Sequence, residues 1–325
     1  MFIQLFILFA LIRGNPVTIL IGGDLMPSGS LLEFVEKNPS YPFENIKPLL
    51  DSVDITFFNL ECPITDSGTP VEGKEFVFKF PVRYAGILRG ITGFTLANNH
   101  IMDYGWEGLA STLRVLASLK IGTCGAGENL KEARSPFITQ AGGLKVAFFC
   151  YSNTLPKSYW ADTAKPGTAH GIEKFIKKDL PGVDADFKIA VFHWSSELLD
   201  TPKLYQRILA RYAIDHGADM VVGHHPHVVQ TVEIYRGKPI FYSLGNFIFG
   251  SYTKRANGML VLVQITRDSS LFSVIPLKTT FWECKFQTEI ADSADFLCHL
   301  GVKLKKEFFK GFPVWRLIPD EKVTK

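Results

Sequence analysis

ADMVVGHHPHVVQ, residues Ala218–Gln230, joins a short apolar run to a cluster of imidazoles. Met220–Val222 reads as a buried strand closing at Gly223. His224, His225 and His227 follow at once, with Pro226 holding the turn, so three of the chain's eight histidines fall within four positions. Imidazoles on a loop at a strand end can converge on a metal ion, and a His-Pro-His pair can send two nitrogens into one cavity. A polar turn carrying surface histidines is the competing reading of this stretch alone.

Working outward, residue types that bind metals recur directly after other apolar runs. Val17–Gly22 (VTILIG) is β-branched and ends in Gly22-Gly23 with Asp24 just beyond. Ile55–Leu60 (ITFFNL) carries Asn59 and ends at Glu61. Gly93–Ala97 ends in Asn98-Asn99-His100, and Lys188–Phe192 runs into His193. Ligands of α/β sheets bind outside the carboxyl ends of strands, where loops from distant parts of the chain meet. Mixed oxygen and imidazole donors suit manganese, iron or zinc better than an all-oxygen magnesium cage. One or two such ions are expected, with Glu61 placed to bridge a pair. Each position has a plainer reading too: Asp24 as a turn residue, His193 as a core histidine, Asn98 or Asn99 as a helix cap, Asn246 as ordinary turn chemistry.

The helical pattern from Gly105 to Lys120 sets Trp106, Leu109, Leu113 and Leu116 on one stripe, with Asp103 on the N-cap side. Pro202–His216 reads as a second helix, capped at Gly217, and Leu31–Lys37 as a short one. Asn153–Gly171 reads as a long loop, a candidate lid. Cys62–Pro81 reads as loops with an edge hairpin. Val228–Ile234, Pro239–Leu244, Met259–Ile265 and Leu271–Ile275 read as strands, Ala291–Lys306 as a helix, and the last residues as a polar tail. A β-rich half therefore follows a βαβ-like half, and residues 15–325 are expected to form one domain.

With 46% hydrophobic residues the chain can bury a large core, and a net charge of +3 without a basic run disfavours nucleic acid as a partner. Met1–Ile12 (MFIQLFILFALI), within a leader of residues 1–14, is shorter than the roughly 20 residues of a spanning helix. It fits a signal-peptide core or tether, although a basic n-region and an Ala-x-Ala site are missing. Export to the cell envelope or membrane anchoring is expected, with a cytoplasmic location as the alternative. The five scattered cysteines, odd in number, are read as thiols rather than a disulfide framework.

Taken together, GGD at Gly22–Asp24, FFNLECPIT at Phe57–Thr65 and TLANNHIMDYG at Thr95–Gly105 resemble the CapA family. So do HWSSE at His193–Glu197, GADMVVGHHPHVVQ at Gly217–Gln230 and GKPIFYSLGNFIF at Gly237–Phe249. The resemblance spans Val17 to Phe249 and implies a calcineurin-like metallophosphoesterase fold, an α/β αββα sandwich of two packed mixed sheets flanked by helices. It implies Asp24 and His227 on one metal, Glu61 between two, and Asn99, His193 and His225 on the second. His100 would be the catalytic acid, Asn59, Asp103 and His224 would orient ligands, and Glu197 and Asn246 are candidate substrate contacts. Met26 stands where the superfamily usually has a histidine, so the first metal is expected to be weakly held. The implied role is in capsular poly-γ-glutamate synthesis or export, as a metal-dependent hydrolase of a phosphoester or polyglutamate bond. An anionic polymer or phosphoester would be the substrate, with membrane-bound synthase or export subunits as partners. The alternative is a non-catalytic accessory subunit that binds metal or polymer.

Overall fold

The computed structural model describes residues 15–250, 257–279 and 288–318. The apolar leader, Cys284 and the end of the expected tail lie outside them. Two mixed sheets make up the framework. The larger runs in the order Lys303–Phe309, Phe312–Ile318, Ser270–Thr279, Asn257–Ile265, Val17–Met26, Ile55–Leu60, Gly93–Thr95, Gly122–Cys124, with Asn246–Phe249 added beside the end of Val17–Met26. The smaller runs Val232–Tyr235, Lys238–Phe241, Met220–His224, Phe187–His193, Leu144–Ser152, Phe137–Ala141.

All ten residues of Val17–Met26 are buried, which is why the strand reads as a continuous apolar run rather than an alternating one. Its successive side chains feed different cores. Ile19 and Ile21 join Phe57, Phe148, Ile189 and Val222 between the sheets. Leu20 joins Phe58, Phe94 and Leu260 under Val35, Leu109 and Leu116 from the helices Leu32–Lys37 and Gly105–Ser118. A third core sets Ala147, Phe192 and Val221 against Ile176, Ala210 and Ile214 from the helices Glu173–Asp179 and Leu204–Asp215. Helix, sheet, sheet, helix is the expected α/β sandwich.

Val17–Met26, Ile55–Leu60 and Gly93–Thr95 pair in parallel, as do Leu144–Ser152, Phe187–His193 and Met220–His224. Parallel strands deliver their carboxyl ends to one edge. Asp24 stands level with Asn59 and with Asn246, and His193 level with His224. Glycine permits the close approaches this needs. A Cβ on Gly23 would lie 1.9 Å from the Gly245 carbonyl oxygen, and one on Gly223 2.0 Å from that of Tyr242.

Three expectations fail. Ala291–Lys306 is not a helix: only Asp295–His299 turns, as a 3₁₀ segment, and Lys303–Phe309 is a strand. Part of the expected tail is its partner, Phe312–Ile318, joined through Lys310-Gly311, both at positive φ as a type I′ hairpin turn requires. Cys62–Pro81 is loop but holds no hairpin, only an isolated parallel bridge between Ile64 and Phe80. Asn153–Gly171 is the expected long loop apart from the 3₁₀ turn Lys157–Tyr159, and it is tied down: Ser152 N–H donates to the Ala169 carbonyl, Asn153 Nδ2 to that of Gly171, and Gly167–Thr168 pairs with Ala126–Gly127.

Nor are all the cysteines thiols. Cys124 and Cys150, with Cα atoms 5.7 Å apart, form a disulfide that staples the last strand of the larger sheet to a strand of the smaller. The packing of the sheets makes this pair, so sequence spacing could not show it. Cys62 and Cys298 are free. Peptide mapping without reductant should recover residues 124 and 150 cross-linked, and Cys124→Ser should cost about 2–4 kcal/mol of stability in a denaturant titration. Among the described residues, no helix is long and apolar enough to cross a membrane.

Candidate metal centre

The carboxyl ends of both sheets bring Asp24, Glu61, Asn99, His193, His225 and His227 to one buried locus. Ligand atoms of Glu61, His193 and His225 lie within 4.8 Å of one another, and so do those of Asp24, Glu61 and His227. Glu61 belongs to both groups. Asn99 Oδ1 lies 2.7 Å from His193 Nε2, which puts it beside the first group. His225 and His227 have φ of 95° and 55°, a left-handed backbone that costs free energy and persists where the surroundings impose it.

Neighbouring side chains aim these groups. Asn59 Nδ2 donates to Asp24 Oδ1 at 2.9 Å and to Glu61 Oε2 at 3.3 Å, while its Oδ1 accepts from Asn98 Nδ2 at 3.0 Å. His224 Nδ1 lies 3.2 Å from Asp24 Oδ1. Asn246 is 2% exposed, and its Oδ1 lies 2.8 Å from His227 Nδ1, which leaves Nε2 on the Glu61 side. Asn246 is therefore placed to orient the His227 imidazole.

Burial alone would raise the Asp24 carboxyl, but His224 and His227 outweigh it and hold it well below the usual range. Burial and the Asp24 charge push Glu61 well above. Burial and the other imidazoles keep His193 low and bring His225 down to about 3. Burial also works against a proton on His227, yet Glu61 and Asp24 raise it to about 10. Glu61 Oε1 and His225 Nδ1 are buried without a hydrogen-bond partner. Buried carboxylates and neutral imidazoles left unpaired are costly unless a cation meets them, so the donor set fits a divalent metal.

His100 is 5% exposed and lies next to Asn99 in the chain. Its Nδ1 sits 2.8 Å from Asp103 Oδ2, which leaves Nε2 available. Asp103 does not cap the following helix, whose N-cap is Tyr104 without a side-chain bond. Its carboxylate instead accepts from Phe78 N–H at 2.8 Å and from Lys74 Nζ, besides facing His100. Asn98 Oδ1 accepts from the N–H groups of His100 and Ile101, closing a tight turn rather than capping the helix. Lys74 escaped the sequence reading. Its Nζ also reaches the Asn99 carbonyl at 2.5 Å, and burial lowers its pKa. No periodic signal marks it, since its segment has no regular structure. Met26 is buried in the helix-side core and offers nothing to the site.

Parallel strands from two face-packed sheets that converge on a carboxylate–imidazole group define an α/β sandwich with a candidate metal centre. A family model described as bacterial capsule synthesis protein PGA_cap matches residues 18–251, and the chain belongs to that family. It is 30% identical over 284 residues to the capsule biosynthesis protein CapA of Bacillus anthracis, covering 82% of this chain and 68% of the relative. It is 31% identical over 268 residues to the PGA biosynthesis protein CapA of Bacillus subtilis, covering 78% and 70%. A hypothetical protein from Thermus thermophilus has a similar fold, with a TM-score of 0.50 at 14% identity over 81% of this chain and 99% of that one.

Proposed function

We propose that the chain is a metal-dependent hydrolase of the cell envelope, acting on a phosphoester or on an amide bond of an anionic polymer during poly-γ-glutamate capsule synthesis or export. The observation that carries this reading is Glu61, buried and common to two ligand groups, whose Oε1 accepts no hydrogen bond and faces His193 Nε2 at 3.4 Å and His227 Nε2 at 3.7 Å. Asp24, Glu61 and His227 would hold one divalent ion, and Glu61, Asn99, His193 and His225 a second, of manganese, iron or zinc. Such ions polarise a substrate oxygen and lower the pKa of bound water. The chain's own residues supply the rest. Asn59 and Asn246 fix the ligands, and Asp103 holds His100 by Nδ1 so that Nε2 can give a proton to the leaving group. The names of the Bacillus relatives support the capsule context, and a disulfide is unusual in a reducing compartment, so Cys124–Cys150 supports an exported site.

His100→Ala and Asp103→Asn are expected to lower turnover about 10²–10⁴-fold and about 10-fold or more, while bound metal stays at the wild-type level. A screen of phosphodiesters and poly-γ-glutamate, with product release and metal content measured on the same samples, checks this. Absence of turnover on all of them by metal-loaded protein would favour a non-catalytic accessory subunit, a reading that the inert Met26 side chain also favours.

A further inference from the structure

We infer that Glu197 is a ligand of this centre, closing it on the solvent side; the inference rests on the metal-centre reading above. A carboxylate oxygen of Glu197 and ring nitrogens of His225 and His227 lie within 4.8 Å of one another. His225 belongs to the Glu61–His193 group and His227 to the Asp24–Glu61 group, so Glu197 stands over the seam between the two halves. The buried ligands enclose the centre from below, and Glu197, exposed, is the carboxylate that meets it from outside.

The loop that carries Glu197 is fixed to the histidine loop. Trp194 N–H donates to the His224 carbonyl at 3.2 Å, and Leu198 N–H donates to the carbonyl of Pro226, between His225 and His227, at 2.8 Å. Ser195 N–H donates to the Tyr205 hydroxyl at 2.6 Å, and Lys203 Nζ to Ser196 Oγ at 2.6 Å. Ser195 and Leu198 flank the position at φ of 80° and 57°, a strained backbone of the kind found at functional sites. A surface glutamate needs none of this. Among the described residues, no hydrogen bond or salt bridge engages the Glu197 carboxylate, so it is free to turn to a cation.

Donor counting places it. The half built on Glu61, His193 and His225 has Asn99 Oδ1 as a further donor beside His193. The half built on Asp24, Glu61 and His227 has three, because Met26, two residues past Asp24, is turned into the helix-side core. Glu197 reaches that half through its proximity to His227 and brings it to four. An exposed ligand is also one that an incoming phosphate or carboxylate can displace, which would leave the remaining donors undisturbed.

The test is titration of the metal-stripped full chain, made without a metal-affinity tag, with manganese(II) chloride in a calorimeter, alongside Glu197→Gln and Glu197→Ala. The expected result is two binding steps in wild type, with one weakened about 10–100-fold in both variants and the other unchanged. Circular dichroism should be the same for all three, since the altered side chain is exposed. Uptake by both variants with wild-type affinities overturns the inference alone. A wild-type chain that takes up no manganese overturns the metal-centre reading, and this inference with it.

Discussion

Glu61→Gln raises the unfolding temperature of the metal-free protein and lowers that of the metal-loaded protein. The opposite signs follow from the position of Glu61. It is fully buried, shares its site with Asp24, and one of its oxygens accepts no hydrogen bond. Without a cation, two carboxyl groups in one dry site work against the fold, and making one of them neutral relieves about 1–2 kcal/mol. With metal present the same carboxylate is the donor that both ligand groups use. Its loss should weaken binding by at least about 100-fold, which removes about 2.7 kcal/mol of ligand-linked stability. Thermal unfolding of both proteins, with chelator and with saturating manganese, reads both signs. A stabilising or neutral effect in both conditions would show that Glu61 is only a packed polar group.

Phe57→Ala is expected to cost about 3–5 kcal/mol without removing any group from the site. Phe57 is fully buried in the strand that ends at Glu61 and stacks on Phe148 of the other sheet, with ring centroids 4.0 Å apart and planes 10° from parallel. Its ring fills the space between the sheets, where side chains from both layers interdigitate and cannot collapse into a void. The neighbouring Phe58 points to the opposite face, into the helix-side core. Urea denaturation of Phe57→Ala beside Phe58→Ala separates the two layers, and a Phe57→Ala cost below about 1 kcal/mol would contradict this tight inter-sheet packing.

The candidate ligand residues are readable because each follows an apolar run, and a parallel sheet sends the ends of such runs to one edge. Asp24, Glu61, Asn99, His193, His225 and His227 need only that rule and the order of strands to meet. Lys74 needed more. It comes from a segment without periodicity, and it reaches His100 and Asp103 because Val71 N–H and Phe78 N–H both fold back onto Asp103. The Cys124–Cys150 bond depends on how two sheets stack, which no spacing encodes. Asn246 looked like turn chemistry or a substrate contact, and its bond to His227 appears only once Asn246–Phe249 lies beside Val17–Met26. The turn between Phe309 and Phe312 is Lys310-Gly311, which lacks the Asn-Gly or Asp-Gly that marks such hairpins in a sequence, and the lysines and glutamate before it favour a helix.

Elemental mass spectrometry of the tag-free full chain, dialysed against a weak chelator and measured beside Glu61→Gln, tests the central claim most directly. The account predicts about two equivalents of manganese, iron or zinc in the wild type and well under one in the variant. No stoichiometric metal in either protein after reconstitution would contradict it, and would leave the buried carboxylates and imidazoles as a polar core without a catalytic role.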